Sequence, residues 1–262
     1  MLTFKNTSIA VATVILVMIA WDLRNPVPWY YYAVVLLVYL SLLTWGSMQV
    51  ASGFYLRTFN KRVTRKKQIA ITFDDGPAEN YTSGILNHLN NLEVPAAFFC
   101  IGKNIAGREQ LMKRIVDEGH IIGNHSYSHH FWFDLYSASR MKEDLRQMND
   151  AAHRATGFLL KLFRPPYGVT NPNLAKAVSE LGLIPIGWNL RSMDTVVKDH
   201  QKLLQTTLRA VKPGGIVLFH DTSEATFLML PAFIEEVRRL GFEIVRLDKL
   251  LGVEPYEQSA NL

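Results

Sequence analysis

Two adjacent carboxylates, Asp74 and Asp75, leave the apolar run Ile69–Phe73, and a Gly76-Pro77 turn follows them. Negative charge at the end of a buried strand is costly unless something positive meets it. Neighbouring residues of an extended chain point in different directions, so the two carboxylates have separate jobs. A second apolar run, His120–Gly123, leads into Asn124-His125-Ser126-Tyr127-Ser128-His129-His130. His125 and His129 are spaced i,i+4, which on a helical turn puts both imidazoles on one face with Cβ atoms about 5–6 Å apart. Two nitrogens so placed reach one ion at about 2.0–2.1 Å. A carboxylate from another strand then gives three protein ligands and an open fourth position, the arrangement of catalytic rather than structural zinc.

Further polar residues stand at the ends of later runs. Leu162–Phe163 leads into Arg164-Pro165-Pro166-Tyr167-Gly168, where two prolines stiffen the backbone around Arg164 and the Tyr167 amide. Gly215–Phe219 leads into His220, a candidate general acid because imidazole titrates near neutral pH. Trp188 ends the run from Ile184, and Asp194 follows. Each motif has an ordinary structural explanation when taken alone: an Asp can cap a helix, a lone His can be a satisfied core group, and a Pro turn needs no catalytic Arg.

The elements that must position these residues are short apolar runs alternating with longer amphipathic ones. Strands are expected at Ile69–Phe73, Ala96–Ile101, His120–Gly123, Leu162–Phe163, Ile184–Trp188, Gly215–Phe219 and Phe242–Val245, apolar on both faces as in a buried parallel sheet. Helices are expected at Tyr81–Leu92, Arg108–Glu118, Ser137–Thr156, Asn173–Leu181, His200–Val211 and Ala225–Leu240, with Pro172 opening one and Gly119, Gly182 and Gly241 closing three. The alternation implies right-handed crossovers, and about seven strands make an α/β barrel or strongly curved sheet with its active residues at the carboxyl ends of the strands.

The front of the chain is different. No charged residue occurs from Asn25 to Leu56, and a transmembrane helix is expected between about Trp29 and Gly53. The shorter run Ser8–Trp21 fits a second span, joined through Asn25-Pro26-Val27-Pro28 as a helical hairpin; a re-entrant piece or a signal peptide is the alternative. The expected division is a membrane anchor over 1–60, a basic junction over 61–67 and a catalytic domain over 68–262. The net charge of +5 comprises +2 in residues 1–60 and +5 in residues 61–67, leaving −2 for the body. A folded body of that charge is not a nucleic-acid binder. The basic junction favours the cytoplasmic side, whereas a polymeric substrate favours the external side. One cysteine, Cys100, excludes an internal disulfide framework and a Cys-rich zinc site. No feature names a protein partner.

Taken in order, Thr72-Phe73-Asp74-Asp75-Gly76-Pro77, His125-Ser126-Tyr127-Ser128-His129, Arg164-Pro165-Pro166-Tyr167-Gly168 and Leu218-Phe219-His220 resemble the motifs of the polysaccharide deacetylase family, carbohydrate esterase family four. The resemblance covers roughly residues 66–250. It implies a distorted (β/α) barrel with fewer than eight strands and an enzyme that hydrolyses the N-acetyl group of an N-acetylglucosamine-containing glycan: peptidoglycan, an exported polysaccharide or a lipid-linked sugar. It assigns Asp75, His125 and His129 to a divalent metal, usually zinc, Asp74 to the general base with Arg164 as its charge partner, the Tyr167 N–H to the oxyanion, and His220 to the general acid. An O-deacetylase or deformylase on the same scaffold, or a non-catalytic glycan binder, is the alternative. One motif departs from the family pattern Asp-x-x-Asp-Trp: here it is Arg191-Ser192-Met193-Asp194-Thr195. Either Asp194 takes over the task of orienting His220 or His220 is tuned differently, and Arg191 is a cation available to an anionic group such as a lipid phosphate.

Overall fold

The computed structural model describes residues 2–257. Its sheet has eight strands: β1 (Gln68–Asp74), β2 (Ala96–Cys100), β3 (Ile121–Asn124), β4 (Leu162–Phe163), β5 (Ile184–Pro185), β6 (Leu190–Arg191), β7 (Gly215–His220) and β8 (Glu243–Ile244). All pairings are parallel, in the order β5-β4-β3-β2-β1-β7-β6, with β8 beside the start of β1. The sheet curls as the sequence leads one to expect, with one strand more. The expected run Ile184–Trp188 is a strand only over Ile184–Pro185, its Ile186 bridging instead to Phe59, and β6 is a further short strand beyond it.

Strand periodicity decides what each face carries. Along β1, Ile69, Ile71 and Phe73 join the large core between sheet and helices, while Ala70 joins the core inside the curl with Phe99, Leu162 and Ile216. Thr72 and Asp74 continue the inner face. The short helix Leu247–Leu251 plugs the amino end of the curl with Leu247, Leu250 and Leu251.

Among the described residues eight other α-helices flank the sheet or precede it in the chain, α3 (Thr82–Asn91), α4 (Glu109–Asp117), α7 (His200–Ala210) and α8 (Glu224–Arg239) among them. Those beside the sheet include α5 (Ala138–Thr156), which ends at Gly157 in the left-handed region, and α6 (Pro172–Glu180), which Pro172 opens and the Asn171 side chain caps. The two that precede it are α1 (Phe4–Asp22) and α2 (Trp29–Met48), of 19 and 20 residues. Both are apolar on every side, and at 1.5 Å per residue each is about 30 Å long, enough to cross a bilayer core. The hydroxyls of Thr13, Ser41 and Thr44 bond back to carbonyls of their own helix, and Ser8 pairs with Tyr39 across the hairpin at 2.7 Å. Polar groups bonded in this way do not depend on water for a partner. The second helix stops at Met48 rather than near Gly53; a 3₁₀ turn at Val50–Ser52 intervenes.

The curl is open between β5 and β6, and the segment leading out of the hairpin fills the gap. Phe59 bridges to Ile186 and Lys61 to Gly215. The bonds are Phe59 N–H to Pro185 O (2.9 Å), Gly187 N–H to Phe59 O (2.9 Å) and Arg62 N–H to Gly214 O (2.8 Å).

Candidate metal centre and active site

The carboxyl ends of β1, β3, β4 and β7 deliver the expected residues to one place. Asp74, on the inner face of β1, is buried, and its Oδ1 accepts a hydrogen bond from Arg164 Nη1 at 2.7 Å. The guanidinium enters from the end of β4. It also donates to Thr72 Oγ1 (2.8 Å) and to the carbonyls of Ile186 and Gly187 (3.4 and 3.1 Å), and it lies 4.0 Å above the Phe99 ring. A fully buried cation is tolerable only with this kind of saturation. Arg164 therefore fixes Asp74 in orientation and leaves Oδ2 facing His125 Nε2 at 3.8 Å.

Asp75, at φ 76, turns its side chain away from Asp74. Its Oδ1 lies 3.5 Å from Nε2 of both His125 and His129, and one donor atom from each of the three residues falls within 4.8 Å of the others. Tetrahedral ligands at 2.0–2.1 Å from an ion stand roughly 3.4 Å apart. The donor set therefore fits a divalent cation. His125 Nδ1 donates to the Arg164 carbonyl at 2.9 Å, which aims Nε2 inward. Burial, then the neighbouring His125, holds the His129 pKa down to about 4, so the ring is neutral and its lone pair available. Burial works against the Asp75 carboxylate, but hydrogen bonding to His125 and the surrounding histidines outweigh it and hold the group ionised.

The histidines do not lie on a helical turn as their spacing suggests. Ser126 and His129 both have positive φ, 65° and 41°, and the segment is an irregular loop. Its rings nevertheless meet, with centroids 4.9 Å apart. Three side chains shape the loop: Asn124 Oδ1 accepts from Ser126 N–H (2.8 Å), Ser126 Oγ accepts from His129 N–H (3.0 Å), and buried Asp144 of α5 accepts from Tyr127 and Ser128 N–H (2.7 and 3.3 Å). Asp144 was invisible to motif reasoning, since a mid-helix Asp carries no signal before its burial is known.

Tyr167 sits at φ 57 with its ring against His129, centroids 4.6 Å apart, and its own N–H meets no acceptor among the described residues. Gly168 follows at φ +73; a Cβ there would lie 2.5 Å from the Trp188 ring, so glycine is required on both counts. On the far side, His220 Nδ1 bonds to Asp194 Oδ1 at 2.7 Å, and the His220 N–H donates to Oδ2 at 2.7 Å. Asp194 is buried and also accepts from Thr226 Oγ1 at 2.5 Å. His220 Nε2 thereby faces Asp75, 4.0 Å from Oδ2. Asp221, quoted in no sequence assignment, lies buried behind the site: Thr82 donates to its Oδ2 at 2.5 Å, and burial, with repulsion from Asp75 and Asp74, pushes its pKa up to about 7. Trp188 borders the site, 5.7 Å from the Arg164 guanidinium, whereas Arg191 is exposed on β6 and stands apart from the metal ligands, lining a separate cavity.

A curled parallel sheet with these polar residues at its strand ends defines a carbohydrate esterase scaffold, and the chain belongs to the polysaccharide deacetylase family. The family's sequence profile matches residues 61–186. A peptidoglycan-N-acetylmuramic acid deacetylase of Bacillus subtilis, PdaA, is 31% identical over 192 residues, covering 72% of this chain and 73% of that protein. A peptidoglycan-N-acetylglucosamine deacetylase of Listeria monocytogenes, PgdA, is 32% identical over 186 residues; the match covers 71% of this chain but spans only 39% of that protein's length. Among solved structures, wild-type BA3943 of Bacillus anthracis, described as a pseudoenzyme of carbohydrate esterase family four, superposes with a TM-score of 0.69 at 26% identity, covering 73% of this chain and 68% of that one. The scaffold thus hosts both enzymes and a pseudoenzyme, and individual side chains decide which.

Proposed function

We propose that the protein is a membrane-anchored, metal-dependent N-deacetylase acting on an N-acetylglucosamine-containing glycan, with an anchor over residues 1–60, a basic junction over 61–67 and the catalytic domain thereafter. The observation that carries this reading is the convergence of Asp75, His125 and His129 between two prepared proton-transfer groups, Asp74 held by Arg164 and His220 held by Asp194.

Asp75, His125 and His129 would hold the cation, and the N₂O donor set suits Zn²⁺. When bound, the ion supplies Lewis acidity that polarises a carbonyl and eases proton loss from water. Asp74 Oδ2, the carboxylate oxygen not engaged by Arg164, accepts the proton of the attacking water. The Tyr167 N–H donates to the oxygen that becomes negative as the carbonyl carbon turns tetrahedral. His220, protonated and aimed by Asp194, gives its Nε2 proton to the departing amine, and acetate and the free amino sugar leave. The hairpin is read as the anchor because both helices are long and apolar enough to span. The named substrates of the relatives differ in their sugar, so the glycan itself is assigned only as an N-acetylated one.

The experiment is acetate release from N-acetyl chitooligosaccharide by the full chain in detergent, with bound metal measured in parallel. His125→Ala should lose metal and activity together. Asp74→Asn should keep its metal and lose about 10²–10⁴-fold in kcat. Undiminished acetate release after complete metal removal would overturn the reading.

A further inference from the structure

The catalytic domain does not hang from its hairpin on a loose tether. Ser47, at the end of α2, donates through Oγ to the Thr170 carbonyl (2.8 Å), and the Thr170 N–H donates to the Ser47 carbonyl (3.0 Å). Thr170 follows the catalytic loop of Arg164 and Tyr167. Leu56 packs on the cluster containing Phe133 and Tyr136, which follow His129, and Phe59 and Lys61 close the seam of the sheet. The end of the hairpin is thus fixed beside the mouth of the active site.

Between them lies a cavity of about 1160 Å³, lined by Met48 from α2, Arg57, Phe59 and Lys61 from the connecting segment, and Trp188 and Arg191 from the seam. Trp188 forms the wall shared with the active site, since its ring packs on Gly168 and approaches Arg164. Among the described residues no carboxylate lines the cavity. Arg57, Lys61 and Arg191 are all exposed, and among the described residues none forms an ion pair. Three like charges on one wall repel unless an anion joins them. Asn171, next to Thr170, donates to Asp134 O at 2.8 Å and so ties to this end of the hairpin the loop that carries Phe131, Trp132 and Leu135, 71%, 56% and 74% exposed. Exposed aromatic and aliphatic side chains beside cations are the pattern of a membrane interface.

We propose that this groove receives the phosphate or diphosphate of a lipid-linked N-acetyl sugar, so that substrate reaches the Asp75–His125–His129 site from the bilayer surface. The proposal rests on the membrane-anchored deacetylase reading above and adds the substrate class. A neutral glycan polymer gives the three cations nothing to neutralise.

The test places the full chain, supplied with Zn²⁺, in phosphatidylcholine nanodiscs. N-acetylglucosamine is presented on a polyprenyl diphosphate, on an uncharged polyprenyl glycoside, or as water-soluble N-acetylglucosamine-1-phosphate. The diphosphate lipid should be preferred over the uncharged lipid by about 10–100-fold in kcat/KM, as two or more charge-assisted hydrogen bonds imply. That preference should collapse towards one in R57A/K61A/R191A and persist in R57K/K61R/R191K. Equal use of charged and uncharged lipids would overturn the proposal while leaving the deacetylase reading intact. An equal phosphate preference for the soluble sugar would make the groove a site for soluble phosphates and would also overturn it. Binding is read separately, as retention of a fluorescent diphosphate-linked sugar by Asp74→Asn. Retention lost in R57A/K61A/R191A supports the groove even if no probe is deacetylated, in which case the deacetylase reading alone fails. Displacement of the probe by equimolar phosphatidylglycerol would show a general headgroup site and refute the assignment.

Discussion

His220 shows how one hydrogen bond holds a proton on an imidazole. Burial disfavours the imidazolium, but the bond to Asp194 and the field of Asp194, Asp74 and Asp75 outweigh it and raise the pKa from 6.5 to about 9. A raised pKa means that the charged ring's contribution to stability is full below 6.5 and is lost as pH rises through about 9. General-acid catalysis needs the same protonated form, so activity should fall on the alkaline side. A cation beside Asp75 offsets part of the local negative field, which places the limb above 6.5 and no higher than about 9. Asp194→Asn should move the limb down towards 6.5 and lower kcat about 10²-fold. The pH–rate profiles of the two proteins decide the point, and an unmoved limb would remove Asp194 from its orienting role. Asp194 keeps the second acidic position of a motif in which Arg191 and Thr195 replace the usual Asp and Trp, and in the proposed mechanism it is this residue that orients His220.

At the scale of elements, the site depends on loops held in shape by buried side chains from neighbouring helices. The clearest case is the β3 loop, whose two left-handed residues, Ser126 and His129, persist only because Asn124, Ser126 Oγ and Asp144 satisfy its amides. Asp144→Ala leaves Tyr127 and Ser128 N–H without their acceptor. Zinc affinity should drop about 10–100-fold, as for other groups that support ligands without touching the metal. Calorimetric titration of Zn²⁺ into the apo chain checks this, and an unchanged affinity would show that the loop is held without Asp144. The fold itself should remain, because Asp144 lies outside the main core cluster around β1.

At the scale of the whole molecule, the link between hairpin and domain is also a piece of the sheet. Three backbone hydrogen bonds, two donated by Phe59 and Arg62 and one accepted by the Phe59 carbonyl from Gly187, cross the seam between β5 and β6/β7. At about 1 kcal/mol each, they contribute roughly 3 kcal/mol. A chain beginning at Arg57 should therefore unfold at clearly higher urea than one beginning at Gln68, even though both lack the hairpin. Equal midpoints would mean that the seam closes without the segment. Because the same link fixes the end of α2 beside Thr170, the position of the active site relative to the hairpin is set by the fold rather than by a tether.

The sequence by itself determined the chemistry and the order of the elements. Buried strands are apolar on both faces, so polar residues at Asp74, His125, Arg164 and His220 stand out at their ends, and the hairpin is legible from the length of its uncharged run. The spacing of His125 and His129 suggests a helical turn where the chain forms a loop, and the apolar run from Ile184 outlasts its strand while Leu190–Arg191 carries no strand signal, because local periodicity carries no information about which distant groups satisfy a backbone. Only the tertiary structure decided that Asp194 meets His220, that Asp144 shapes the histidine loop and that Phe59 completes the sheet. Each of those contacts joins residues far apart in the chain, and only the closing of the curl brings them within hydrogen-bond range.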